Sequence, residues 1–205
     1  MASRRSMLRT SAGLATTAWV APSIIGLDRV SAAAPSDTSC ETPTVFNGAI
    51  WLNPPPTDLS IGGPLDSDTN TFVFSETPAP VTLTSNLTVD RTAAGSFNGN
   101  SNQNATIAAG TTICSYFVHG DRLDNNGQLT GGLRFAHSAI IGLIYETATL
   151  NASSFLRVPG TTYVNGPMEG NDLMTLDLTP GANTLTWTMT FGPVLDQIRV
   201  ITACP

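Results

Sequence analysis

Between Asn183 and Phe191 the chain reads Asn-Thr-Leu-Thr-Trp-Thr-Met-Thr-Phe, with a threonine at every second position and a large apolar residue between each pair. Successive side chains of an extended strand point to opposite faces. Leu185, Trp187, Met189 and Phe191 therefore share one face, and Thr184, Thr186, Thr188 and Thr190 share the other. A helix would mix the two sets around its axis at 3.6 residues per turn. The apolar face needs a second layer to cover it, so this segment commits the chain to a packed sheet.

The same period recurs along the chain. In "DLMTLDLT" Met174, Leu176 and Leu178 point one way, and the connection Pro180 to Asn183 makes a hairpin with the threonine strand. "DQIRVIT" supplies a closing strand, and further strands are expected at Thr44 to Leu52, Thr71 to Ser75, Val81 to Val89, Thr111 to His119, Gly132 to Ala136 and Ala139 to Glu146. About nine short strands with Gly, Pro, Asn and Asp turns, and no convincing amphipathic helix, give an all-β fold: an antiparallel β-sandwich or jelly roll. Three segments interrupt the pattern. Asn53 to Asp68 reads as a long surface loop and Gly95 to Asn104 as a mobile hairpin tip. Thr149 to Asp172 reads as the longest connection, with one helical turn near Ser153 to Leu156.

The N-terminal residues carry a different message. Arg4 and Arg5 in "SRRSMLR", a mildly apolar stretch from Ser11 to Leu27 and the small residues Ser31 to Ala34 follow the order of a twin-arginine signal peptide. The expected organisation is a signal at 1–34 and one secreted domain at 35–205, placed extracellularly or in a periplasm. Thr16, Thr17 and Pro22 make the apolar stretch a poor transmembrane helix, and no later stretch is long and apolar enough to span a bilayer. The remaining 171 residues hold five arginines, no lysine and fourteen acids, a net charge of −9. That balance argues against nucleic acid and anionic membrane as partners, since both attract clustered positive charge.

Three cysteines enter an oxidising destination on this reading. Cys40 opens the domain and Cys204 closes it, so their pairing is the first expectation, with Cys114 left as a small buried apolar residue. Pairing of Cys40 with Cys114 is the alternative, because three cysteines permit three single bridges.

"CSYFVHGD", "AIIGLIYETATLNASSFLRVPGTTY" and "LDQIRVIT", over roughly residues 112 to 203, resemble an uncharacterised secreted bacterial β-domain of proteins bearing the PEP-CTERM sorting tail. The resemblance implies a secreted β-domain and carries no known activity. The sequence ends at Cys204-Pro205 without that tail, so anchoring through it is not expected.

The closing strand is also similar to that of some carbohydrate-binding jelly rolls. Sugar recognition needs aromatic faces beside polar groups, and Trp51 and Tyr163 are the aromatics nearest to loops. Their other reading is ordinary edge packing. Trp187 belongs to the core by its alternation.

Catalytic motifs are missing: there is no Gly-x-Ser-x-Gly, His-Glu-x-x-His, Cys-x-x-Cys or phosphate loop. Cys114 and His119 are an odd number of residues apart, on opposite faces of a regular strand. A hydrolase with an unrecognised site would have to draw on His119, Asp121 and Glu169. "DRLDNNGQL" fails as an EF-hand, because Arg122 falls where the first carboxylate ligand belongs. A different calcium site from Asp121, Asp124 and Asp172 is the one cofactor the residues suggest, against the simpler reading of an Asn126-Gly127 turn. The expectation is therefore a non-catalytic extracellular module, binding glycan or matrix or serving structurally.

Overall fold

The computed structural model describes residues 39–124, 126–164, 166–191 and 195–204. In chain order the strands are β1 (Thr44–Phe46), β2 (Ala49–Trp51), β3 (Thr71–Ser75), β4 (Val81–Thr82), β5 (Leu87–Val89), β6 (Gly95–Asn98) and β7 (Ala105–Ile107). There follow β8 (Thr112–Gly120), β9 (Gly127–Arg134), β10 (Ile140–Ile144), β11 (Leu173–Asp177), β12 (Thr184–Phe191) and β13 (Asp196–Ala203). A six-residue helix, α1 (Thr147–Ala152), and a 3-10 turn at Ser154–Leu156 lie between β10 and β11. The signal-like residues 1–34 lie outside the described residues.

The fold is an all-β sandwich. One sheet runs β1-β9-β12-β11-β6, the other β10-β13-β8-β3-β2 with β4 also on β8, and β5 and β7 form a small pair. The pairing is antiparallel except for β2 on β3, which run parallel. β12 alternates half-buried threonines with buried Leu185, Trp187, Met189 and Phe191, as its period demands. Those four join Tyr116, Val118, Ile198 and Val200 of the facing sheet in the inner core. Each such burial contributes about 1.5–3 kcal/mol, the largest favourable component of the fold.

The second sheet differs from the first in being covered on both faces. Its outer face carries another apolar cluster, in which Phe74, Phe117 and Ile201 pack against Leu59, Leu150 and Leu156 from the overlying segments. Ile113 to Gly120 of β8 and Asp196 to Thr202 of β13 are consequently all buried. Polar residues on these strands must find partners inside the protein.

Three expectations change. Thr44 to Leu52 is two strands, because Asn47 and Gly48 (φ 53° and 89°) turn the chain from one sheet into the other. Val81 to Val89 is likewise two strands, β4 and β5. Gly95 to Asn98, read as part of a mobile tip, is an edge strand: β6 pairs with β11 and buries Phe97. The helical turn near Ser153 to Leu156 is present, preceded by α1.

Candidate functional site

A cleft of about 390 Å³ opens where the chain enters the sandwich, and Trp51 lines it with Leu52, Asn53, Pro55 and Pro78. The proline-rich loop after β2 cannot enter the ladder and so forms the cleft wall. Trp51 is half-buried and packs toward the core on Tyr116, with ring centroids 6.3 Å apart. Asn53 and Thr42 present exposed polar side chains at the cleft. Glu41 also lines it, but its carboxylate accepts backbone N–H groups of Ala136 (2.6 Å), Ser138 (2.7 Å) and His137 (3.1 Å). Burial works to raise its pKa; those hydrogen bonds outweigh it and hold Glu41 below the ordinary value, so it stays ionised.

Tyr163, the other expected ligand aromatic, is a packing residue. Its ring meets Phe117 edge-on at 5.1 Å, and its hydroxyl accepts the Val158 N–H at 3.2 Å. Val158 lines the Trp51 cleft; the Tyr163 ring packs on the second apolar cluster instead. The loop position of Tyr163 was a poor guide, because the segment after α1 folds back over the second sheet.

Cys40 is bonded to Cys114, not to Cys204 as first expected. Cys204 is a free thiol whose Sγ lies 3.4 Å from that of Cys114. The termini do converge, as the first expectation assumed. Cys114 on β8 stands between them and takes the bond.

At another place in the sandwich several acids gather around the start of β13. Asp196 is 1% exposed, and neither of its carboxylate oxygens has a hydrogen-bond partner. Burial, with the charges of Asp172, Glu169 and Asp121 added, pushes its pKa up to about 9, so it is a neutral acid at physiological pH. Burial and the neighbouring Asp66 likewise push Asp121 up to about 6. The sequence expectation does not include Asp196, although the period that turns Ile198 and Val200 inward turns Asp196 the same way.

The proposed calcium ligands do not assemble. Asp121 accepts the Gly62 N–H at 3.1 Å, and Asp172 accepts the Thr190 N–H at 2.7 Å together with the Glu169 N–H. Asp124, in the loop before β9, is exposed and holds Arg122 at 2.9 Å. Among the described residues no three His, Cys, Asp or Glu side chains stand where they could hold a metal ion. The residues therefore do not fit a calcium ion as arranged.

His119, proposed for a hydrolase, is 0% exposed. The Gln197 side-chain amide donates to its Nδ1 at 3.1 Å, which leaves the proton on a buried, unpartnered Nε2. Burial lowers its pKa to about 4. A substrate could not reach this ring without opening the sheet, whereas Glu169 is exposed.

These features define an all-β sandwich with an aromatic cleft at Trp51 and a buried acidic group at Asp196. Comparison with family models, curated proteins and solved structures found no match for the chain. Among the described residues no helix is long and apolar enough to cross a membrane.

Proposed function

We propose that the chain is a non-catalytic extracellular domain, exported by the twin-arginine route, that binds a glycan or matrix polymer in the Trp51 cleft. The observation that carries this reading is the cleft itself. Its volume of about 390 Å³ suits a small-molecule-sized unit, and a half-buried indole shares it with the exposed Asn53 and Thr42. An aromatic ring held rigid by the core, with hydroxyl and amide groups beside it, is the chemistry that recognises a sugar ring. The acidic balance of the domain disfavours polyanions and leaves neutral glycans as the better ligands.

A glycan array with the purified domain tests this. Trp51→Ala is expected to abolish binding while circular dichroism keeps the wild-type β signature, with the thermal melt lowered by the lost packing on Tyr116 but still cooperative. Binding that survives the substitution, or an array with no bound glycan, would remove the reading.

A further inference from the structure

We infer that Cys40, Cys114 and Cys204 form a thiol–disulfide exchange centre whose reactive end, presented at the Trp51 cleft, is the sulfur of Cys40. The inference does not rest on the glycan reading. Three sulfurs meet here: the Cys40–Cys114 bond, and the Cys204 thiol 3.4 Å from the sulfur of Cys114.

The strand register explains why they meet. β8 pairs with β13 so that Cys114 faces Thr202, and Cys204 lies two residues further along on the same face. The Cys204 N–H closes this end of the ladder on the Thr112 carbonyl at 3.4 Å. Cys114 and Cys204 are thus both held by the second sheet, while Cys40 belongs to the entering segment before β1. Exchange closes the 3.4 Å between the two sheet-borne sulfurs to a bond of about 2.05 Å, and the sulfur it displaces is the one outside the sheet.

The step balances without an outside oxidant. The Cys204 thiolate attacks the Cys114 sulfur, a Cys114–Cys204 bond forms, the Cys40–Cys114 bond breaks, and Cys40 leaves as the thiolate. The proton given up by Cys204 is matched by the one Cys40 takes on. Thr77 Oγ1 lies 3.6 Å from the Cys40 sulfur; a disulfide sulfur has no proton to give, so the hydroxyl is the donor and would steady the leaving thiolate. Burial raises the pKa of Cys204, so the attack gains speed as pH rises. Cys40, once released, lines an open cleft and can attack a disulfide brought to it, giving a mixed disulfide and a partner thiolate.

Oxidised glutathione is the probe. The protein is incubated with it at alkaline pH, because the thiolate is the attacking form, then acid-quenched, alkylated and mapped by mass spectrometry without reduction. The expected product carries glutathione on Cys40 and a Cys114–Cys204 bond. In Cys204→Ser the Cys40 adduct should fall by at least about tenfold, because the attacking sulfur is gone. Glutathione on Cys204 alone with Cys40–Cys114 intact, or no adduct on Cys40, would overturn the inference. So would a Cys40 adduct that persists undiminished in Cys204→Ser.

Discussion

Arg199 and Glu76 meet in a two-pronged ion pair from which solvent is excluded, with Nε to Oε2 at 2.5 Å, Nη2 to Oε1 at 2.8 Å and both side chains 0% exposed. The remaining guanidinium nitrogen donates to the Leu150 carbonyl at 3.2 Å and to the Ser153 hydroxyl. Ser115 donates to the same Glu76 carboxylate at 2.6 Å. One cation thereby joins β13, the turn after β3 and the helical segment that covers the second sheet. Two buried charges lose their hydration, and only such a full set of hydrogen bonds offsets that loss.

Removing one partner leaves the other charge buried and alone. Arg199→Met is expected to lower stability by about 3–5 kcal/mol in urea unfolding, while Arg199→Met with Glu76→Leu should lose clearly less. A single variant within about 1 kcal/mol of wild type would show that water or another group replaces the guanidinium.

Asp196 makes stability depend on pH in a defined direction. Its folded-state pKa lies near 9, against 3.8 for an ordinary aspartate. The folded protein therefore keeps a proton that the unfolded chain sheds, and stability is lost as pH rises from about 4 to about 9. His119 acts in the opposite sense: its pKa is depressed to about 4, so its contribution is lost as pH falls below the ordinary value of 6.5. Asp196→Asn isolates the first effect. The variant should gain at least about 1 kcal/mol on wild type at pH 8, a gain that shrinks toward pH 4. A constant difference across that range would show that Asp196 is ionised in the fold.

The sandwich was legible wherever one face of a strand is dry and the other wet. β12 announces itself because its threonines and apolar residues meet different surroundings, and β11 does so for the same reason. β8 and β13 are dry on both faces, so alternation could not say that Ser115, Glu76 and Arg199 would find one another; that depends on which loop lies over the sheet. Asn47-Gly48 carries a hairpin signal, yet the strands it joins pair with β9 and β3, which are distant in sequence. The cysteine pairing departs from the expected Cys40–Cys204 bond for a related reason. Termini that approach each other still leave the bond to whichever sulfur the register places between them, and register is not written in the spacing of three cysteines. Trp51 and Tyr163 both stand beside loops and both are half-buried, Trp51 against Tyr116 at the cleft and Tyr163 against Phe117 under the segment after α1; loop position alone does not separate the two.

Gly131 tests how tightly the inner core is fitted. It lies directly across the ladder from Trp187, and a Cβ built on it would stand 2.4 Å from the indole Cζ2. The ring cannot easily give way: Trp187 is 2% exposed, and its Nε1 donates to Thr71 on the opposite sheet at 3.2 Å. Gly131→Ala should therefore cost about 1–3 kcal/mol and shift the tryptophan emission, because the indole must move or lose its partner. Gly181 is the control. A Cβ there meets nothing within 4 Å, and its cost comes only from a φ of 85°, about 1–2 kcal/mol with the emission unchanged. If Gly131→Ala keeps the wild-type emission and costs no more than Gly181→Ala, the indole is free to slide, and the contact between the two sheets is looser than the register implies.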